Sequence, residues 1–198
     1  MPFMSRPPVL PRALFLRILG LALATLCLGG CHSHTHTPAV PVSSFTPFTA
    51  ADRSCTGDGP TGWATDLGEE GAAVTHVTFD LDDAHIRIIC DGESSLMSDA
   101  LHMGAHRPAV DTLHADKLLD LGTDFQKFQA GTTNSYTSGL GQSLQTPFTA
   151  EDGNITGYLV TANGTDKVFY IVCDCPTSDW TTLQPAFDHV TSSLKPSS

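Results

Sequence analysis

Residues 167–175 read KVFYIVCDC, and this stretch decides the fold. Apolar side chains occupy both the odd and the even positions from residue 168 to residue 173, so an extended chain presents an apolar face on each side. A strand of this kind is stable only where one layer covers each of its faces. The sequence therefore predicts a central strand in a sheet that is covered on both sides.

Two hairpins are predicted around this strand. Asn163-Gly164 separates it from the apolar run 155–162, ITGYLVTA, and Asn-Gly between apolar runs is the strongest short signal of a hairpin. Residues 73–81 and 84–90, AVTHVTFDL and AHIRIIC, alternate in polarity around the turn residues Asp82-Asp83. Both pairs of runs should therefore be antiparallel.

Two helices are predicted from apolar residues spaced three and four apart, over residues 111–128 and 180–194. Pro185 restricts the start of the second helix, which should begin near Thr181 or Thr182 with threonine as N-cap. Residues 131–141, GTTNSYTSGLG, predict a flexible loop. The expected fold is α+β, a three-layer α/β/α sandwich on a mainly antiparallel sheet.

The run 167–195, KVFYIVCDCPTSDWTTLQPAFDHVTSSLK, resembles the C-terminal half of the PsbP-like family of α/β/α domains, which includes DcrB-type lipoproteins. Gly62-Trp63 followed by a hairpin is similar to the start of the same family, so the pattern covers residues 60–196. The resemblance implies a non-enzymatic accessory, binding or assembly module. It transfers no catalytic residues to this sequence.

Net charge argues against nucleic acid as a partner. The chain has 10 Lys and Arg against 21 Asp and Glu, a net charge of −11. Three of the basic residues, Arg6, Arg12 and Arg17, and no acidic residue lie in residues 1–30, which leaves seven basic residues against 21 acidic ones and a net charge of −14. A chain this acidic repels phosphate backbones.

Residues 1–30 have the pattern of a lipoprotein signal peptide. Basic residues precede an apolar run, 18–28, that is shorter than the roughly 20 residues needed to span a bilayer. Leu28-Gly29-Gly30-Cys31 follows and resembles the bacterial lipobox, whose cysteine takes up a diacylglyceryl group. The resemblance implies lipid attachment at Cys31 and anchoring to the cell membrane or outer membrane, with the folded domain in the periplasm or outside the cell.

Residues 31–51 are predicted to be a flexible linker, because they are rich in Ser, Thr, Pro and His. His32, His34 and His36 project to one side of an extended tail, where they could chelate zinc or copper. The simpler interpretation is a polar spacer, and we predict no metal site. Residues 52–198 are predicted to form a single folded domain of the PsbP-like type.

Four cysteines follow the signal peptide and the lipid-attachment residue: Cys55, Cys90, Cys173 and Cys175. An even number outside the cytoplasm predicts disulfides, with three possible connectivities. Cys173 and Cys175 lie two apart in one strand and are awkward to bridge to each other. We therefore expect Cys90 to pair with one of them and Cys55 with the other; the competing interpretation is a zinc or Cu(I) site on Cys173-Asp174-Cys175.

Sequence signatures of enzymes are missing. The chain has no G-x-S-x-G elbow, no phosphate-binding lysine loop and no dinucleotide fingerprint, and no cofactor is predicted. The favoured function is a membrane-tethered, non-catalytic lipoprotein, a binding or assembly module of the cell envelope with a possible protein partner there. The alternatives are a zinc- or copper-binding lipoprotein that uses the His-rich tail or the Cys-Asp-Cys segment, and an enzyme that sets a Cys or Ser beside a His.

Overall fold

The computed structural model describes residues 37–92, 109–164 and 167–197. Cys31, the tail histidines His32, His34 and His36, and the signal segment 1–30 lie outside these ranges. The described residues from Pro38 onward belong to one compact unit.

Short antiparallel strands dominate the described chain. The strands are β1 (Phe45–Thr49), β2 (Cys55–Pro60), β3 (Ala64–Asp66), β4 (Val74–Leu81), β5 (Ala84–Gly92), β6 (Gln129–Ala130), β7 (Asn134–Ser138), β8 (Gly141–Ala150), β9 (Ile155–Asn163), β10 (Lys167–Pro176) and β11 (Lys195–Pro196). The helices are α1 (Val110–Asp124) and α2 (Trp180–Ser193). Within the described ranges, neither helix combines the length and the hydrophobicity needed to cross a bilayer.

The larger sheet confirms the predicted hairpins and the central strand. Its order is β3-β4-β5-β10-β9-β8-β6, with β7 paired to β8. Leu81 pairs with Ala84 across the predicted Asp82-Asp83 turn, and β9 pairs antiparallel with β10 after the Asn163-Gly164 signal. β10 lies between β5 and β9, so it has a neighbour along each edge.

Each face of β10 packs against a different helix. On one face, Ile171 and Cys173 join Phe187 of α2 in the larger cluster of buried side chains. On the other face, Val172 joins Leu121 of α1 in a smaller cluster. The structure is therefore an α+β fold with helix, sheet and helix as its three layers, as the two-faced strand predicts.

A second sheet, in the order β1-β2-β11, lies beside α2 and brings the two ends of the described chain together. Thr56 of β2 pairs with Thr49 of β1 on one edge and with Lys195 of β11 on the other. β1 lies inside the segment 31–51 that its composition predicts to be a linker. It is nevertheless a strand, because Phe45 stacks on His189 with ring centroids 3.8 Å apart and Phe48 packs on the larger cluster.

The heptapeptide at 46–52, TPFTAAD, recurs almost unchanged at 146–152, TPFTAED, and both copies have the same local role. Each begins in a strand, β1 or β8, and continues into the turn that follows. Ala50 and Ala150 are buried at this transition. Asp52 then pairs with a lysine in the first copy, as Asp152 does in the second. The two heptapeptides therefore form the same strand-to-turn transition.

The prediction of a flexible loop at residues 131–141 is wrong for residues 134–138. Residues Asn134–Ser138 form strand β7, which pairs with β8 through a turn between Ser138 and Gly141. The strand is polar because it lies at an edge of the sheet, and only Tyr136 packs against the core. Pairing with β8 therefore outweighs a composition typical of loops.

Helix α2 begins at Trp180 with Asp179 as N-cap, so the predicted threonine cap is wrong. The backbone N–H groups of Thr182 and Leu183 both donate to the Asp179 carbonyl. Pro185 then lies in the second turn, where it removes the hydrogen bond that would be accepted by the Thr181 carbonyl. The helix tolerates this because Thr181 and Pro185 are on its exposed side, where water can replace the lost donor.

Helix α1 is fastened to the sheet through a buried histidine. His114 is 2% exposed, and its Nδ1 and Nε2 lie 2.8 Å from Thr161 Oγ1 and 2.7 Å from Thr146 Oγ1. Burial lowers the pKa of His114, and the nearby Asp111 carboxylate opposes that effect only in part. The imidazole therefore joins α1 to β8 and β9 in its neutral form.

His114 should make the folded state less stable in mild acid. Because its pKa lies below the ordinary value of 6.5 in the folded state, the unfolded chain takes up the proton first as the pH falls. The free energy of unfolding should decrease below about pH 6.5, by at most ~1.4 kcal/mol per pH unit from this group. Urea unfolding between about pH 7.5 and pH 5 should show this slope reduced in His114→Gln. The exposed His76→Gln is the control, and equal slopes in wild type and His114→Gln would contradict the assignment.

Replacing either of two glycines by alanine should change the stability of the fold, in opposite directions. A Cβ at Gly157 of β9 would overlap the Cys173 carbonyl oxygen and the Phe148 ring, so Gly157→Ala should destabilise by roughly 1–3 kcal/mol. A Cβ at the exposed Gly122 of α1 would meet only Phe128, at 3.7 Å, so Gly122→Ala should stabilise by about 0.5–1 kcal/mol. Chemical denaturation of both variants checks this, and a tolerated Gly157→Ala would refute the close approach.

Candidate functional site

A buried polar cluster joins the two sheets where β2 begins, β5 ends and β10 begins. We call Asp52, Ser54, Cys55, Cys90 and Lys167 the junction cluster. The Asp52 side chain is 6% exposed; its Oδ2 lies 3.1 Å from Lys167 Nζ, and its Oδ1 accepts a 2.9 Å hydrogen bond from the Ser54 backbone N–H. A turn residue of the small sheet is thus tied to the first residue of the central strand.

The charges of the junction cluster are balanced. Burial alone would raise the pKa of Asp52, but hydrogen bonds from Ser54 and Lys167 outweigh it and hold that pKa below its ordinary value. The carboxylate therefore remains ionised at neutral pH. Asp52 and Lys167 therefore behave as a structural ion pair, and neither residue needs to transfer a proton.

A small cavity lies beside the cluster. Its volume is about 180 Å³, below the usual size of drug-sized ligand sites. The Lys167 side chain reaches its wall, so the cavity adjoins the ion pair. It is lined by Arg53, Ser54, Gly164, Lys167, Phe169, Pro196 and Ser197.

A larger groove of about 410 Å³ runs between β1, β2 and the first strands of the larger sheet. Phe48, Trp63 and Phe79 give it apolar walls, while Thr46 and Thr61 line it with hydroxyl groups. Gly59 admits the Phe79 ring, because a Cβ there would overlap that ring. The groove is shaped for apolar contact and holds no charged side chain among its lining residues.

A second charged network lies on the face of the sheet opposite α2. The Asp174 carboxylate of β10 lies 2.5 Å from the Arg87 guanidinium of β5, which also sits over the Phe125 ring at 5.6 Å. Burial raises the pKa of Asp174, while the Arg87 charge opposes the shift. On the same face, His85 Nδ1 lies 2.7 Å from Asp80 Oδ1. These contacts tie β10 to β5 and β5 to β4.

The sequence does not single out Lys167 and Arg87 as site residues. Arg87 is the only Asp, Glu, Lys or Arg in the run 84–90, and Lys167 begins an apolar run whose next charged residue is Asp174; these positions were the available signal. A lone charge in a strand indicates that a partner must be near, yet it does not identify that partner. Asp52 and Lys167 are 115 positions apart, so only the tertiary fold brings them together.

The structure contradicts the expected pairing of Cys90 with Cys173 or Cys175. Cys90 lies opposite Phe169 of β10, and Cys173 lies opposite Ile86, four residues away along the same two strands. That offset separates the two cysteines by roughly 13 Å, whereas a disulfide needs Cα atoms within about 7 Å. Instead, Cys90 Sγ lies 3.7 Å from Cys55 Sγ.

Cys173-Asp174-Cys175 does not form a joint ligand set. Both sulfurs belong to the apolar cluster beneath α2, while the Asp174 side chain points to the other face and pairs with Arg87. Burial raises the pKa of each thiol to about 12, which disfavours the thiolates that a metal requires. In the part of the chain that the structure describes, no three Cys, His, Asp or Glu residues are grouped to hold a metal ion.

The Asp52–Lys167 pair should stabilise the fold more than an exposed pair of the same type. A double-mutant cycle with Asp52→Asn and Lys167→Met should give a coupling energy of about 1–2 kcal/mol at neutral pH. Because the pKa of Asp52 is lowered in the folded state, this contribution should be lost as the pH falls below about 4.

The matched control for this cycle is Asp152–Lys127, the pair in the second heptapeptide copy. Its side chains are 67% and 62% exposed, so the same cycle should give about 0.5 kcal/mol or less. Urea unfolding at about pH 7 and pH 3 provides all the values. Equal coupling in the two pairs would contradict the special role of the junction cluster.

Comparisons with known proteins identify the fold. No family model matches the sequence. None of the curated proteins matches it either. The structure is similar to cyanobacterial PsbP (CyanoP) from Synechocystis sp. PCC 6803, with 14% identity and a TM-score of 0.55 over 81% of this chain and 97% of that one.

Two further solved structures are less similar in shape. LpqN of Mycobacterium tuberculosis, described as involved in cell envelope biogenesis, has 15% identity and a TM-score of 0.44 over 78% of this chain and 91% of that one. PA94 of Pseudomonas aeruginosa, a putative regulator of unknown function, has 11% identity and a TM-score of 0.41 over 74% and 92%. The fold assignment rests on the cyanobacterial protein: the described unit has the fold of a PsbP-like domain.

Proposed function

We propose that this protein is a membrane-tethered, non-catalytic lipoprotein whose PsbP-like domain serves as a binding or assembly module of the cell envelope. The observation that carries the proposal is the segment ending in Leu28-Gly29-Gly30-Cys31. A basic start, a short apolar run, two glycines and a cysteine are the features needed for peptidase access and for diacylglyceryl transfer to the Cys31 sulfur. Two or more acyl chains would make the attachment effectively permanent.

The way the domain uses its buried polar groups supports a non-catalytic role. Asp52 is paired with Lys167, Asp174 with Arg87, and both ring nitrogens of His114 with threonine hydroxyls. Each contact joins parts of the chain that are far apart in the sequence, which is how structural polar groups are satisfied. A catalytic acid or base would instead direct its polar atom at an open site where a substrate can bind.

Recognition would then use the outer surface of the domain, and the apolar groove beside β1 is the most suitable part of it described above. A groove with aromatic walls and hydroxyl groups at its edge suits an apolar side chain or an extended segment of a partner. Because the tether fixes the domain at the membrane, that partner would be an envelope protein.

The tether can be tested with a pair of matched cysteine variants. Cys27 lies in the apolar run and Cys31 at the proposed lipid site, only four positions apart. In a bacterial host supplied with a labelled fatty acid, wild type and Cys27→Ser should incorporate the label and sediment with membranes. Cys31→Ser should lose the incorporation essentially completely.

Two results would reject the tether. The first is equal labelling of Cys31→Ser, and the second is an intact mass in which residues 1–30 remain attached to a protein with an unmodified Cys31 thiol.

Elemental analysis of the purified wild type distinguishes the proposed function from the alternative one. Zinc or copper that is retained by the wild type and lost in His32/His34/His36→Ala would favour a metal-binding lipoprotein.

A further inference from the structure

We propose that Cys55 and Cys90 form a disulfide that cross-links the small sheet to the large one. The two sulfurs lie 3.7 Å apart, in van der Waals contact, and no other two of the four described cysteines have their sulfurs in contact. Both residues are at most 1% exposed. Small rotations of the two side chains would bring the sulfurs to the bonded distance of roughly 2.0 Å.

The position of the two cysteines makes a cross-link useful to the fold. Cys55 is the first residue of β2 and pairs with Pro196 of β11. Cys90 is near the end of β5 and pairs with Thr75 of β4 and Phe169 of β10. A bond between them would join the small sheet, β1-β2-β11, to the centre of the main sheet. It would also close a loop between positions 35 apart in the sequence.

The chemistry requires an oxidant, for which we name the disulfide of a thiol oxidase or of oxidised glutathione. The Cys90 thiolate attacks one sulfur of that disulfide, which forms a mixed disulfide and releases one thiolate. The Cys55 thiolate then attacks the Cys90 sulfur and releases the second. The two cysteines lose two protons and two electrons in total, and the oxidant is reduced to two thiols.

The electrostatic surroundings favour Cys90 as the first nucleophile. The hydrogen bond between the two thiols lowers the pKa of Cys90, because Cys55 S–H stabilises the Cys90 thiolate, and the same contact together with burial raises the pKa of Cys55. Lys167 in the junction cluster also favours the Cys90 thiolate. The geometry of the pair stands without these shifts, which bear on the order of the two attacks.

Cys173 and Cys175 should remain thiols. They lie beneath α2 on one strand, and the offset along β5 and β10 keeps Cys173 away from Cys90. The expected state is therefore one specific cross-link and two free thiols among the four described cysteines. This pattern separates the proposal from a mixture of disulfides.

Peptide mapping of the full chain tests the connectivity. Trypsin cleaves after Arg53 and Arg87, which puts Cys55 and Cys90 in different peptides, while Cys173 and Cys175 fall together after Lys167. Full-length protein with Cys27→Ser and Cys31→Ser should be reduced, unfolded in urea and refolded in detergent with oxidised and reduced glutathione. Free thiols are then alkylated before digestion.

The expected result is a cross-linked pair of peptides, 54–87 joined to the peptide that begins at Ile88, with alkylated Cys173 and Cys175. Cys173→Ser and Cys175→Ser should leave this cross-link unchanged, and Cys55→Ser should abolish it. Alkylated Cys55 and Cys90 after refolding, or a cross-link to Cys173 or Cys175, would overturn the proposal.

A second measurement uses wild type in case a cysteine variant fails to fold. Reduction should increase the unfolding equilibrium constant by roughly 30- to 700-fold, because the unfolded chain regains the freedom that the cross-link removed. No change in the urea midpoint on reduction would also overturn the proposal.

Whether Cys55 and Cys90 are oxidised in cells depends on the proposed location outside the cytoplasm. Their oxidation during refolding with glutathione does not depend on it. Rapid alkylation of intact cells, followed by the same digestion, should find the cross-link in protein exported with its own signal. A cross-link that forms in vitro but is absent in cells would support the pairing and count against the proposed location. The two proposals can therefore fail separately.

Discussion

Strand β10 carries apolar side chains on both faces, so it can be placed only where a separate layer covers each of them. The larger cluster beneath α2 takes Ile171 and Cys173, and the smaller one beneath α1 takes Val172. Strands β5 and β9 complete its hydrogen bonds on both edges. The positions of both helices and of the two main hairpins follow from this one requirement.

Burial alone does not define the register of an apolar strand, because a shift by two residues keeps the same faces buried. The two charged residues of β10 supply the missing constraint. Lys167 reaches Asp52 at the start of the strand, and Asp174 reaches Arg87 toward its end. A shift in either direction would break both contacts and leave buried carboxylates unpaired, which is costly. The charges therefore select one arrangement among several that would bury the same apolar area.

Sequence reasoning succeeded where the signal is local. The two hairpins and the helical stripe of α2 depend on neighbours a few positions apart, and the structure confirms them. It missed β7 because a polar edge strand has the composition of a loop, and it missed β1 because two phenylalanines lie among Ser, Thr and Pro. The Cys55–Cys90 contact and the Asp52–Lys167 pair depend on how one sheet lies against the other. No periodicity in the sequence encodes that placement.

The small sheet has a consequence for how the protein is made. Strand β2 has β1 on one edge and β11 on the other, and the Ser197 N–H donates to the Ser54 carbonyl beyond β11. Until residues 195–197 have emerged from the ribosome, the second edge of β2 has no partner, and Cys55 lies in a sheet that is still open. The small sheet is therefore complete only once residues 195–197 have been synthesised and have paired with the β2 region.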